Sequence, residues 1–194
     1  MWKSHSTHRR EAGNQRRRRP LRNRRVVIRP PAEQDAPRLA EIHIAAWRAA
    51  YRGVMTDEFL DGLDVEHRSE IWLSRIIEPP VGFVCLLAEA GGEVAGFVIV
   101  GPPDGDAEPG TGKLYAINLR PEFWAQGIGT ELIKAAEDQL VQLGYSRAFL
   151  WVEHNNDRAI RFYTSRGWEH DGVIQKDMTF DPPLMENRHS RTFR

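Results

Sequence analysis

Apolar residues recur along this chain with two different spacings, which divide it into helices and strands. Between Glu33 and Tyr51 they return every three or four residues, which predicts an amphipathic helix that Gly53 ends. Short runs of β-branched and aromatic residues bounded by Gly or Pro predict strands instead. The remaining predicted elements are a strand at Val26–Arg29, a helix capped by Thr56, a helix at Val65–Ile77, strands at Phe83–Ala90, Val94–Gly101 and Lys113–Leu119, a helix ending near Leu143, a strand at Arg147–Val152, a helix at Asn156–Ser165 and final strand material at Trp168–Phe180.

The order of these elements indicates the fold class. Gly91–Gly92 joins two β-rich runs and predicts an antiparallel hairpin, whereas the strand–helix–strand order after Lys113 predicts one parallel crossover. We therefore expect a single α+β domain at residues 26–180. Residues 101–112 are rich in Gly and Pro and predict a loop, and the polar residues 181–194 predict a flexible C-terminal tail.

The formal net charge of zero conceals an uneven distribution of charge. Residues 1–25 contain ten of the 27 basic residues and one of the 27 acidic residues, so the remainder carries a net charge of −9. This basic arm has no apolar periodicity, which predicts disorder. The arm could have no function of its own, either as a solvated tail or as residues upstream of a true start near Val26. Alternatively, it could bind the phosphates of a nucleic acid.

Composition argues against several other classes of protein. Hydrophobic residues make up 41% of the chain and charged residues 28%, as in an ordinary soluble domain. No apolar run reaches the roughly 18 residues of a transmembrane helix, and the N-terminus lacks the apolar stretch of a secretory signal. Cys85 is the only cysteine, which excludes an intrachain disulfide and agrees with a cytoplasmic location. No metal-binding spacing occurs, so we expect no metal.

The segment KLYAINLRPEFWAQGIGTELI, which begins at Lys113, contains the most specific pattern. A strand, a short turn, Gly127, Gly129 and a helix follow one another there. This order places free backbone N–H groups and the positive end of a helix dipole where an anion can bind. Glycine lacks the Cβ that would keep a phosphate away from the main chain. The sequence therefore predicts a site for a phosphorylated ligand.

A dinucleotide or a nucleoside triphosphate fits this pattern less well. The dinucleotide motif has its glycines directly after the strand and a third glycine at the position of Leu132, whereas residues 120–126 intervene here. Glu153 stands near the position at which that motif has its ribose-binding acid. The sequence also lacks the lysine of a triphosphate-binding loop.

A second motif, LWVEHNNDRAIRFYTSRGW, occupies Leu150–Trp168. Together the two motifs resemble the GNAT acetyltransferase superfamily, which has Q/R-x-x-G-x-G/A followed by N-x-x-A-x-x-F-Y-x-x-x-G-F/W. The resemblance covers roughly residues 26–180 and departs from the family at Trp124, where Gln or Arg is usual. It implies helices on both sides of a mixed, mostly antiparallel sheet of six to seven strands. The residues that match the second motif are Asn156, Ala159, Phe162, Tyr163, Gly167 and Trp168.

The resemblance implies a site for acetyl-coenzyme A (acetyl-CoA). The pyrophosphate is expected on the amides of residues 126–130, and the pantetheine arm beside the main chain of a strand and one side-chain amide. In chain order, the residues implied are Ile117, Leu119, Gln126, Gly127, Ile128, Gly129, Thr130 and Asn156.

The resemblance also implies direct attack of an amine on the thioester within a ternary complex. Tyr163 matches the family's tyrosine and is expected beside the sulfur as a general acid or hydrogen-bond donor. Many relatives have a glutamate as general base near the position of Lys113, and a lysine protonated at neutral pH cannot replace it. An ordered water, Glu153 or His154 could act instead, although both residues are expected to be solvated at the end of a strand, or the amine could arrive neutral. The sequence therefore assigns no general base.

We therefore expect acetyl transfer from acetyl-CoA to a primary amine of a small molecule or a protein. Trp47 and Tyr51, one helical turn apart, are expected to line the acceptor pocket, and the acids of the 101–112 loop would attract a cationic amine or be merely solvated. A homodimer is common among similar proteins, and no membrane partner is expected. Two alternatives stay open: a non-catalytic module that binds acyl-CoA, and a nucleic-acid-associated protein that acts through the basic arm.

Overall fold

The computed structural model describes residues 25–105, 107–180 and 182–193, which form seven strands and five α-helices. The strands are β1 (Val26–Arg29), β2 (Val84–Ala90), β3 (Glu93–Gly101), β4 (Thr111–Leu119), β5 (Arg147–Glu153), β6 (Glu169–Asp177) and β7 (Leu184–Thr192). The helices are α1 (Ala36–Tyr51), α2 (Asp57–Asp61), α3 (Val65–Ile77), α4 (Ile128–Gln142) and α5 (Asp157–Thr164).

All seven strands belong to one sheet, in the order β1-β2-β3-β4-β5-β7-β6. Only β4 and β5 run parallel, because α4 connects them as a crossover; every other neighbouring pair is antiparallel. The predicted α+β class, with a mixed and mostly antiparallel sheet of six to seven strands, is confirmed.

Helices cover both faces of the sheet, so its inner strands are buried on two sides. Leu86 and Leu87 are neighbours in β2 yet belong to different cores, because successive side chains of a strand point to opposite faces. Leu86 packs on the side of α4, together with Leu132 and Leu140, and Leu87 packs on the side of α1 and α3. Burying both faces explains why the β2 and β3 sequences are apolar almost throughout.

The prediction of a flexible tail at residues 181–194 is wrong. Residues 184–192 form β7, which lies between β5 and β6 and pairs with both. The sequence of this strand is largely polar, and only Leu184 and His189 are buried. Backbone hydrogen bonds to two neighbours hold it in place, and ion pairs such as Arg191 to Glu137 at 2.7 Å add to them. Apolar periodicity therefore does not reveal it.

Several predicted boundaries are confirmed because local signals set them. The α3 helix spans Val65–Ile77 as predicted, and the Asp64 carboxylate caps it by accepting the N–H groups of Glu66 and His67. The final predicted strand is shorter, since β6 ends at Asp177. The basic arm of residues 1–25 lies outside the described residues except for Arg25. None of the helices in the described part of the chain is long and apolar enough to cross a membrane.

Candidate active site

A cleft opens in the middle of the sheet because β4 and β5 diverge. The two strands pair only at Thr111–Lys113 with Arg147–Phe149, although β4 continues to Leu119 and β5 to Glu153. A register shift between β3 and β4, opposite Ile99 and Val100, accompanies the divergence. A cleft of about 480 Å³ lies at this end of the sheet, lined by the C-terminal end of α1, by Trp124, by Glu153 and by the first turns of α5.

The glycine turn forms the start of α4 and leaves its amides exposed. Gly127 precedes the helix with a φ of 86°, and Ala125 also has a positive φ, 57°. Alternation of left-handed and ordinary residues turns successive N–H groups toward one side, a geometry that binds anions. The N–H groups of Ile128 and Gly129 add to it, since they have no acceptor within the helix, whereas the N–H of Thr130 donates to the Gly127 carbonyl at 2.9 Å. Residues 125–130, here called the anion cradle, include residues 126–130, whose amides are predicted to bind a phosphorylated ligand.

The glycines of the cradle have different structural reasons. A Cβ on Gly127 would meet nothing within 4 Å, so its left-handed backbone is what demands glycine. A Cβ on Gly129 would lie 3.1 Å from Cε2 of Phe162, so this glycine allows α4 and α5 to pack closely. The Thr130 hydroxyl accepts a hydrogen bond from the Arg166 guanidinium at 2.5 Å, which leaves the hydroxyl proton free to donate. An arginine thereby lies beside the cradle.

Trp124 closes one side of the cleft. Its indole N–H donates to the carbonyl of Leu119 at 3.0 Å, and the Arg158 guanidinium lies 3.2 Å from the centre of the indole. Burial lowers the pKa of Arg158, and no acidic side chain pairs with it among the residues described. An unpaired cation therefore lines the cleft and lies over Trp124, the residue at the position where the family has Gln or Arg.

Two tyrosines lie near the inner end of the cleft. Tyr163 of α5 is buried and packs at ring distances of 5.3 Å from Phe162 and 6.5 Å from Trp168. Burial raises the pKa of its hydroxyl, as does the nearby Tyr51; burial likewise raises the pKa of Tyr51 to about 12. Both hydroxyls therefore keep their protons at neutral pH and are available as hydrogen-bond donors.

A buried carboxylate completes this end of the cleft. The Glu153 side chain is only 3% exposed; its Oε2 accepts the N–H of Asn155 at 3.0 Å, and its Oε1 lies 2.9 Å from Nδ1 of His154. That nitrogen also lies 3.2 Å from the carbonyl of Met185, which can only accept. Nδ1 of His154 therefore carries a proton, and the imidazole and one backbone amide fix the orientation of the carboxylate.

Comparison with known proteins identifies the fold around this cleft. The acetyltransferase (GNAT) family matches residues 36–168 of the chain. The chain is also 31% identical over 138 residues to the uncharacterised N-acetyltransferase YuaI of Bacillus subtilis, covering 71% of this chain and 77% of that protein. The chain belongs to the GNAT acetyltransferase family.

Solved structures of other acetyltransferases have the same fold. The PaiA N-acetyltransferase of Thermoplasma acidophilum, in complex with coenzyme A, superposes with a TM-score of 0.67 at 20% identity, over 87% of this chain and 99% of that one. The putative acetyltransferase YncA of Salmonella typhimurium, with acetyl-CoA, gives 0.64 at 19% identity, over 88% and 95%. At these identities the likeness concerns the fold alone.

The structure brings together most of the residues that the GNAT motifs implied, with some differences in role. Ile117 and Leu119 are on the part of β4 that has diverged from β5, but the Leu119 carbonyl already accepts from Trp124. The Gln126 side chain donates to the Glu122 carbonyl at 2.6 Å, so only its main chain belongs to the cradle. The Ile128 side chain is buried in the core and likewise leaves its amide to the cradle.

Asn156 and the aromatic residues of α1 have structural partners in addition. The Asn156 side-chain oxygen caps α5 by accepting the N–H of Ala159 at 3.1 Å, which leaves its NH₂ group for a ligand. Trp47 is partly buried in a small aromatic cluster, with ring distances of 5.4 Å to Tyr51 and 5.5 Å to Phe180. Trp47 is therefore chiefly a packing residue, and Tyr51 connects that cluster to the carboxylate end of the cleft.

The expectation that Glu153 is solvated is wrong, and the reason is tertiary. The Glu153 side chain is only 3% exposed, and residues from the end of α1 and the following turn line the same cleft. Lys113, at the family's usual base position, is buried and bonds to Asp104 at 2.6 Å, and Glu108 of the same loop pairs with Arg147. These two loop acids are therefore neutralised by their own chain; Asp106 is outside the described residues.

Glu186 of β7 is a residue that sequence reasoning missed. It lies directly opposite Glu153 in the β5–β7 pair. No signal in the sequence points to Glu186, because the polar composition of residues 181–194 is typical of a tail. In the described part of the chain, no group of three or more His, Cys, Asp or Glu side chains is arranged to hold a metal ion.

Proposed function

We propose that this protein transfers the acetyl group of acetyl-CoA to a primary amine of a small molecule or a protein, by direct attack within a ternary complex. The observation that carries the proposal is one cleft lined by Glu153, Trp124 and the first turns of α5, with two features next to it in the chain: the anion cradle, which directly follows Trp124, and the protonated Tyr163 of α5. A thioester linked to a distant pyrophosphate, as in acetyl-CoA, would fit both features.

The cradle and its neighbouring arginines supply the binding energy. The amides of residues 126–130 would hold the pyrophosphate, and the pantetheine arm would pass along the diverged part of β4 beside Asn156. Arg158 and Arg166 add positive charge on either side. Binding by these remote groups fixes the position of the reacting carbonyl, which converts a bimolecular reaction into an intramolecular one.

Glu153 and Tyr163 suit the two proton movements that amide formation requires. The amine nitrogen forms a bond to the thioester carbon, and the carbon–sulfur bond breaks with its electron pair on sulfur. Of the two protons that an entering ammonium loses, one passes by way of Glu153 to solvent. The other ends on sulfur, where the protonated hydroxyl of Tyr163 donates to the leaving group. The products are an N-acetylated amine and free coenzyme A.

A Tyr163→Phe variant tests the catalytic part. With an amine panel and thiol release as the readout, we expect kcat to fall by about 100-fold or more, because general acid–base groups contribute about 10²–10⁴-fold. The Kd for coenzyme A should change by less than about twofold, since the hydroxyl acts on the leaving sulfur and not on the phosphates.

The Tyr145→Phe variant is the matched control, because Tyr145 packs against the same hydrophobic core as Tyr163. It precedes the start of β5, whereas Glu153 is at the end of that strand. Equal kcat values for the Tyr163→Phe variant and the wild type would refute the assigned role. Tight binding of acetyl-CoA by the wild type without turnover of any amine would instead favour the non-catalytic module. Absence of binding would refute the whole proposal.

A further inference from the structure

Three side chains form a row across the last strands of the sheet, starting from the cleft. Glu153 of β5 pairs with Glu186 of β7, and Glu186 pairs with Gln175 of β6. Residues directly opposite in antiparallel strands point to the same face, with Cβ atoms about 4.5–5.5 Å apart. The preceding residue, Val152, packs in the core beneath α4, so the row lies on the opposite face. The buried carboxylate of the cleft therefore has a second carboxylate beside it.

Glu186 is a half-buried carboxylate without a counter-ion. Its Oε2 accepts a hydrogen bond from Nε2 of Gln175 at 2.7 Å, and no basic side chain of the described residues forms an ion pair with it. Two cations on this face are bound elsewhere: Lys113, which acts on Glu186 only electrostatically, to Asp104 at 2.6 Å, and Arg188 to Asp171 at 2.8 Å. A carboxylate that is removed from water without a cation is unfavourable in the free protein, so a cationic ligand would stabilise it.

An independent observation also indicates a ligand at this place. The Tyr163 side chain is more than nine-tenths buried, and its hydroxyl has no hydrogen-bond partner among the described residues. It lies within electrostatic range of Tyr51, which in turn lies within electrostatic range of Glu186 and Glu153. The unpartnered Tyr163 hydroxyl and the Glu186 carboxylate, which has no counter-ion, therefore both lie near Tyr51, and a ligand with donor groups placed there would satisfy them together.

We propose that Glu186 is a specificity-determining residue for the acceptor, and that the preferred acceptors carry a second positive charge close to the reacting amine. The reacting nitrogen approaches Glu153, and the second cation binds Glu186, which Gln175 holds in position. Acceptors with a carboxylate in that place are disfavoured, because like charges repel at this distance. This inference rests on the proposed acetyl transfer and adds the class of acceptor.

The experiment compares three acceptors of equal length that differ only at the far end: 1,5-diaminopentane, 5-aminopentan-1-ol and 5-aminopentanoate. For the wild type we expect kcat/KM to decrease in this order. In the Glu186→Gln variant, the preference for the diamine over the amino alcohol should shrink by about 10- to 100-fold, the range for loss of one charge-assisted contact. Glu186→Asp should retain part of the preference, because it keeps the charge.

Glu169→Gln is the matched control, since it removes one negative charge from an exposed position of β6 at the far end of that strand. Its preference should equal that of the wild type. A wild type that uses the amino alcohol as well as the diamine, or a Glu186→Gln variant with an unchanged preference, would overturn the inference.

A binding measurement separates this inference from the proposed function. Calorimetric titration of 1,5-diaminopentane into the protein saturated with coenzyme A requires no turnover. Binding that Glu186→Gln weakens about tenfold or more supports the acceptor subsite, even if acetyl transfer itself fails. Equal affinity of the wild type and the variant for the diamine contradicts it, whatever the activity.

Discussion

Replacing Gly127 by Ala tests whether the cradle binds the phosphates of coenzyme A through its backbone. Gly127 precedes α4 with a φ of 86°, and a Cβ there would meet nothing within 4 Å. The substitution therefore introduces no clash within the free protein. It adds a methyl group on the exposed side of the cradle, where a phosphate would have to approach the amides.

The same helix provides a matched control at its other end. Gly144 follows α4 with a φ of 90°, and a Cβ there would also meet nothing within 4 Å. A left-handed backbone costs a residue with a Cβ about 1–2 kcal/mol, and the stiffer unfolded chain offsets about 0.4–1 kcal/mol of this. Both variants should lose about 1 kcal/mol of unfolding free energy, or about 2–4 °C in Tm for a chain of this size.

Only the Gly127→Ala variant should lose affinity for coenzyme A. A hydrogen bond to a charged group contributes about 1.5–3 kcal/mol, so loss of one phosphate contact should raise Kd by about 10- to 100-fold. Urea unfolding and calorimetric titration, applied to both variants, measure the two effects separately. If Gly127→Ala and Gly144→Ala bind coenzyme A equally well, the pyrophosphate does not lie on these amides.

Two further predictions concern the flank of the cradle and the last strand. Arg158→Gln should raise the Kd for coenzyme A about tenfold and leave the Kd for acetylpantetheine, which has no phosphate, unchanged. Arg161→Gln removes an exposed arginine that is already paired with Asp157 at 3.7 Å, so it should change neither Kd. Equal effects of the two variants would refute a specific role for Arg158. Ending the chain after Phe180 should abolish cooperative unfolding, because β6 would lose its pairing partner and β5 would become an exposed edge; near-UV circular dichroism with urea titration checks this, and a cooperative transition in the truncated chain would contradict it.

Local interactions account for the elements that the sequence predicted correctly. The bounds of α3 follow from an Asp64 cap and an apolar stripe, both within a few residues of the helix. The start of α4 likewise follows from Gly127, whose left-handed backbone is a property of one residue. Signals of this kind require no knowledge of the rest of the fold.

Local signals of this kind do not predict the last strand, β7. The sequence of β7 is almost entirely polar. Backbone hydrogen bonds to β5 and β6 hold this strand in the sheet, so it has no need of a continuous apolar face. Backbone hydrogen bonds do not depend on side-chain identity, so a polar strand between two partners has the composition of a tail. The environment of Glu153 likewise depends on tertiary structure, since the residues that line the cleft with it include the end of a helix about 100 residues earlier in the chain.

The amino-acid sequence by itself determined the class of fold, the glycine turn before α4, and the pair of motifs that identify a GNAT acetyltransferase. The tertiary structure alone decided which carboxylates share the cleft, since the register of β7 against β5 sets Glu186 opposite Glu153. The physical reason is the range of the forces concerned. Helix caps and left-handed turns depend on neighbouring residues, whereas the environment of a charge depends on whatever the folded chain brings around it.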